Sequence, residues 1–96
     1  DHELFYWRDK SGREVDFVIK GGRQQSEAIE CKINPDHFDP AHLAIFRSLY
    51  PGGNNYVLSP NIKSSYERRY GKLKVDFISM RQVYDLIGNS KLQRRS

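Results

Sequence analysis

The sequence predicts a small α/β (α+β) domain, a sheet of about four to six strands with two helices. Three observations carry this expectation. EVDFVIK and SEAIECKI both alternate in polarity and flank a glycine-containing loop, as the arms of a hairpin do. The stretch from Asp39 to Tyr50 has helical spacing, with a proline at its start and Pro-Gly-Gly at its end. The later apolar runs are strand-length and bounded by turn residues. At 96 residues the chain suits one domain with one modest core.

The elements follow in order. Residues 3–9, ELFYWRD, are aromatic-rich and too short for a helix, so a strand is expected, ending at Asp9-Lys10-Ser11-Gly12. Residues 14–20 form a second strand, and Gly21-Gly22 with Arg23-Gln24-Gln25 a loop. The third strand runs through SEAIECKI and ends at Asn34-Pro35. Asp39 and Pro40 suit an N-cap and first turn, and Ala41, Ile45, Leu49 with Leu43, Phe46, Tyr50 give the helix its apolar spacing. NYVLS, residues 55–59, is a short strand; Tyr66–Tyr70 and Leu73–Ile78, broken near Gly71, read as a hairpin or as one strand with a weak partner. Ser79 suits the cap of a last helix with Val83, Leu86 and Ile87 on its apolar side and Gly88 at its end. Residues 1–90 therefore form the domain, and 91–96 a flexible basic tail.

Centring the loop on Arg23 puts Val18 opposite Ala28 and Asp16 opposite Glu30. Val15, Phe17, Ile19, Ile29, Cys31 and Ile33 then share one face, which is expected to be the buried one, so this register or an even shift of it is favoured. Two carboxylates come to lie about 5 Å apart at Cβ, with Lys32 one pleat further. Such a pair repels unless a cation offsets it; Mg²⁺ or Mn²⁺ suits hard oxygen ligands, and Lys32 can do part of the same work. The same alternation is what any half-buried hairpin shows, and from pattern alone these residues read first as a solvated sheet face.

Here the residues resemble a known family. Asp16, thirteen residues, then Glu30-Cys31-Lys32 is similar to the PD-(D/E)XK signature of restriction-endonuclease-like nucleases. The wider string, FYWRDKSGREVDFVIK followed by AIECK, resembles a C-terminal domain of unknown function of prokaryotic AAA-type ATPases. The resemblance covers residues 4–33 closely and the rest by element order. It implies a restriction-endonuclease-like mixed sheet flanked by helices and Mg²⁺- or Mn²⁺-dependent hydrolysis of DNA phosphodiesters. Asp16, Glu30 and the main-chain carbonyl of Cys31 would hold the metal, and Lys32 would be the catalytic lysine. Glu14 shares the polar face and suits either assistance or a plain surface role. In the related fold a helix precedes the first strand and often adds an acid. The chain opens at Asp1 rather than Met, so a piece of a longer polypeptide is expected, with that helix missing and the site incomplete.

The rival reading is an accessory domain that lets its ATPase partner bind DNA or protein without cutting. A third is self-association through the face left bare. Net charge is +4, a mild lean toward anionic partners. Arg8 suits a phosphate or an internal carboxylate such as Asp16. Lys63, Arg68, Arg69 and Lys72, interleaved with Tyr66 and Tyr70, suit a phosphate backbone or a charge-protected sheet edge. Cys31, placed in the core by the register, reads as a packed small hydrophobe. One cysteine excludes an intramolecular disulfide and fits a reducing, cytoplasmic setting. No apolar run approaches the roughly 20 residues that span a bilayer, no Walker motif is present, and His2, His37 and His42 lack zinc-site spacing.

Overall fold

The computed structural model describes residues 3–83. Its elements are β1 (Glu3–Arg8), β2 (Glu14–Lys20), β3 (Ser26–Cys31), a 3-10 turn (Pro35–His37), α1 (Ala41–Leu49), β4 (Asn55–Ser59), β5 (Tyr66–Tyr70) and β6 (Leu73–Ser79). Among the described residues they make one six-stranded mixed sheet in the order β1-β2-β3-β4-β6-β5. The pairs β1–β2, β2–β3 and β5–β6 are antiparallel, whereas β3–β4 and β4–β6 are parallel. Residues 66–70 and 73–79 are thus a true hairpin. The helix α1 connects the parallel strands β3 and β4, as parallel pairing requires a long crossover. The N-cap is Pro40 rather than the expected Asp39, whose Oδ1 accepts the Ala41 N–H at 3.0 Å from one residue earlier. Ser79 Oγ accepts the Gln82 N–H at 3.2 Å and residues 80–83 are helical; the expected apolar side at Leu86 and Ile87 and the tail lie outside the described residues.

The hairpin register is the expected one, with Phe17 opposite Ile29 and Val18 opposite Ala28. The face it buries is not. Val15, Val18 and Ala28 are fully buried and Glu30 is 5% exposed, whereas Phe17 is 43% and Ile33 76% exposed and Cys31 lies at the surface. Two causes combine. Between Phe5–Val18 and Trp7–Val15 the register shifts, because β2 uses three residue steps where β1 uses two. That β-bulge at Asp16-Phe17 returns Val15 to the face of Val18, which strict alternation forbids. The face so formed then packs under α1, where Val15, Val18, Ala28, Val57, Val75 and Phe77 join Leu43, Phe46, Phe38 and Ile62 in one core. Trp7 closes one side edge-to-face on Phe46, with ring centroids 5.3 Å apart.

The end of α1 is fastened by Arg47. Its Nε donates to Asn55 Oδ1 at 2.7 Å, Nη1 to Gly52 O at 2.7 Å and Ser26 Oγ at 3.1 Å, and Nη2 to Ser26 O at 2.8 Å and Asn54 O at 2.7 Å. One guanidinium thereby ties the helix, the 50–54 loop and the start of β3 together, and burial holds its pKa below the usual value. A lysine brings a point charge and no planar fork, leaving several of these acceptors without donors. Arg47→Lys is expected to cost about 2 kcal/mol, read as a lower urea midpoint with an unchanged slope.

Candidate functional site

The β2–β3 ladder stops at Phe17–Ile29, and the bulge turns Asp16 into the gap beyond it. There Asp16 Oδ2 accepts the Cys31 N–H at 2.8 Å. The N–H groups of Ala28 and Lys32 go to Asn54 O and Leu58 O on the β4 side, at 2.9 Å each. By strand alternation the main-chain groups of Cys31 face β2, so its carbonyl lies on the side of Asp16. Its thiol is another matter. Cys31 is exposed, which corrects the expectation of a core position; desolvation of the thiol and then the charges of Asp16 and Glu30 push its pKa up, against a nucleophilic role.

Glu30 lies on the α1 face of β3, level with Val57. Its pKa is pushed up to about 7, first by burial and then by the negative charge of the nearby Asp16; Lys32 pulls the other way and Glu14 adds a weaker push. Asp16, Glu30 and Lys32 therefore act on one another, although the bulge prevents Asp16 and Glu30 from facing each other as a simple cross-strand pair. Two hard carboxylates crowd together with one basic side chain beside them. Burial is the larger cause of the raised Glu30 pKa and the Asp16 charge the second, and a small divalent cation bound between hard oxygens would offset that second part. Among the described residues no group of three or more His, Cys, Asp or Glu side chains is gathered closely enough to hold a metal by themselves.

Beside this pair is a network that sequence reasoning only half saw. Arg8 pairs with Glu14 across β1–β2, with its Nε 3.4 Å from Glu14 Oε2, so its carboxylate partner is Glu14 rather than Asp16. Tyr6, two residues earlier on β1, donates its hydroxyl to the same carboxylate, and that bond raises the Tyr6 pKa. The period of two from Arg8 was the available signal for Tyr6. His42 Nδ1 accepts the Glu14 N–H at 3.4 Å, joining α1 to β2, and His37 contacts Asn34 at 3.3 Å.

The later hairpin divides its cations. Arg69 and Lys74 lie near Glu67 at 3.1 and 3.7 Å, and Lys74 also near Asp76 at 3.9 Å. Arg68 instead lies over the rings of Tyr66 and Phe77, at 5.3 and 5.9 Å from their centroids. Lys63 and Lys72 are exposed. Two grooves among the described residues, around Lys20, Tyr50 and Gly52 and between α1 and Lys72–Lys74, do not include Asp16, Glu30 or Lys32. No helix among the described residues is long and apolar enough to cross a membrane.

Fold and site thus define an α+β domain with a six-stranded mixed sheet and an acidic pair at the splayed end of its β2–β3 hairpin. Residues 1–83 match the sequence profile of a domain of unknown function, DUF4143, and the chain belongs to that family. No curated protein matches the chain.

Proposed function

We propose that this domain is a metal-dependent nuclease-like module of the PD-(D/E)XK kind, acting on DNA phosphodiesters and appended to an AAA-type ATPase. The observation that carries the reading is the convergence of Asp16 and the buried Glu30 across a β-bulge, with Lys32 just past the end of β3. Bulges recur beside active sites because they re-aim one side chain without disturbing the rest of the sheet. Asp16, Glu30 and the Cys31 carbonyl are the groups that would hold Mg²⁺ or Mn²⁺. When bound, such an ion polarises the phosphodiester and lowers the pKa of an attacking water. Lys32 supplies an ammonium that orients that water and stabilises charge growing on the phosphate oxygens. The Cys31 N–H holds the Asp16 carboxylate in place, and Glu30, whose pKa is raised to about 7, would have to give up its proton to serve as a ligand.

The test is a Mn²⁺ titration followed by calorimetry, with cleavage of a labelled single- or double-stranded DNA alongside. The wild-type chain is expected to bind Mn²⁺ at millimolar concentration, and Asp16→Ala and Glu30→Ala to abolish the binding. Lys32→Ala is expected to keep metal affinity and lower cleavage on the order of 100-fold. Wild type that takes up no Mn²⁺ or Mg²⁺ would count decisively against the reading. The second reading, a DNA-binding accessory domain that does not cut, draws on Arg68, Lys63 and Lys72, which have no carboxylate pairing among the described residues. DNA binding without cleavage, undiminished in Asp16→Ala, would select it.

A further inference from the structure

We infer that Arg68 is a preset phosphate-anchoring residue for a nucleic-acid strand that extends past the acidic pair. The inference rests on the proposed action on nucleic acid and names the residue that sets the position of the strand. Its basis is the way β5 sorts its cations between two sheet faces. Glu67 and Arg69 pair with Asp76 and Lys74 of β6 and neutralise one another on one face. Tyr66, Arg68 and Tyr70 pair with Phe77, Val75 and Leu73 on the other.

That second face is the one that carries Glu30. The cross-strand partners run Glu30 to Val57, Val57 to Phe77 and Phe77 to Tyr66, a continuous row across β3, β4, β6 and β5. Three inter-strand steps separate the ends of this row, about 14 Å at the usual sheet spacing. A phosphate at Arg68 is therefore a different one from a phosphate at Glu30, and because Val57 and Phe77 between them are buried, a strand reaches Arg68 around the covered core rather than along this row.

The guanidinium is also ready for an anion. Tyr66 is stacked on Phe77, with centroids 4.8 Å apart and planes 6° apart, and Arg68 lies against both rings. The aromatic contact holds the long side chain in one region and uses none of its N–H donors. Among the described residues Arg68 has neither an ion pair nor a side-chain hydrogen bond, unlike Arg8, Arg13, Arg47 and Arg69. A planar fork of free donors, already ordered, is suited to a phosphate oxygen pair and loses little side-chain entropy on binding.

The experiment measures binding of a fluorescein-labelled oligothymidylate by anisotropy, in EDTA, between about 50 and 200 mM NaCl. Arg68→Ala is expected to weaken binding about 10-fold and to lower the salt slope by about 0.7, one phosphate contact on a single strand. Arg69→Ala, already neutralised by Glu67, is expected to stay within about twofold of wild type. Arg68→Lys keeps the charge and is expected to keep the slope while losing about threefold in affinity; it decides the matter should Arg68→Ala fail to fold. Wild type that does not bind the oligonucleotide, or Arg68 variants indistinguishable from it, overturns the inference. Because EDTA removes divalent metal, the result stands apart from cleavage. A chain that binds through Arg68 and never cuts sinks the nuclease reading alone, and one that cuts with Arg68→Ala unimpaired sinks this inference alone.

Discussion

Gly53→Ala is expected to remove most of the stability of the domain. Gly53 has φ +120°, outside the range of L side chains, and an added Cβ would lie 1.7 Å from Ser26 O and 2.6 Å from Ser26 C. The obstacle is main chain of an interior strand, whose N–H is already bonded to Gly52 O at 2.9 Å, so it cannot step aside. Steric overlap and backbone strain together cost at least about 4 kcal/mol, against a total of about 5–15 for such a domain. Urea denaturation followed by circular dichroism measures it. Gly12→Ala is the control, since Gly12 has φ +83° but nothing within 4 Å of an added Cβ, and only the strain of about 1 kcal/mol applies. If Gly53→Ala unfolded at the same urea concentration as Gly12→Ala, the close approach of the 50–54 loop to β3 would be wrong.

Glu30→Gln is expected to stabilise the metal-free protein, and only above a certain pH. The Glu30 pKa rises from an ordinary 4.5 to about 7 on folding. The folded state thus holds this proton more tightly than the unfolded chain. Its contribution is most favourable below pH 4.5, declines as pH rises toward 7, and is level above that. The span corresponds to about 3 kcal/mol. A glutamine never ionises, so the variant should equal wild type near pH 4.5 and exceed it by about 2–3 kcal/mol at pH 8. Urea midpoints in EDTA at the two pH values test this, and parallel pH profiles for the two proteins would refute it. Saturating Mn²⁺ at pH 8 is expected to reverse the order, since only wild type keeps both carboxylates. A residue that costs stability in isolation and repays it with a cation is the signature of a site rather than of a core.

Much of this architecture was legible in the sequence, for identifiable reasons. Strand and helix positions followed from alternation and from Pro, Gly and Asp punctuation, which are local signals. The β2–β3 register followed from centring the loop on Arg23, though the left-handed turn falls on Arg23 and Gln24 (φ 58° and 60°) and not on the adjacent Gly21-Gly22. The burial of the hairpin was misjudged because alternation separates two faces without saying which one a helix will cover. The polar appearance of the Asp16, Glu30, Lys32 face argued for solvent, yet Val18 and Ala28 on that side meet α1. The bulge left no mark in composition, since Asp16-Phe17 reads as an ordinary strand pair. Arg47 looked like any surface arginine at the end of a helix, because its acceptors are main-chain oxygens that no sequence displays. Asp16, Glu30 and Lys32 were found by spacing; their mutual influence depends on a gap in the ladder that spacing does not encode.

The bulge in β2 also constrains how this chain can change. Removing one residue between Val15 and Val18 would restore an uninterrupted ladder against β1 and make a more regular sheet. The same deletion would withdraw the carboxylate from the Cys31 N–H and turn either Val15 or Val18 out of the core. Substitutions at the exposed positions Phe17 and Lys20 of β2 can be absorbed singly, whereas changes of length cannot. The strand is therefore expected to tolerate variation in chemistry at those exposed positions and to be intolerant of variation in count, with the irregular residue fixing the phase of everything that follows it.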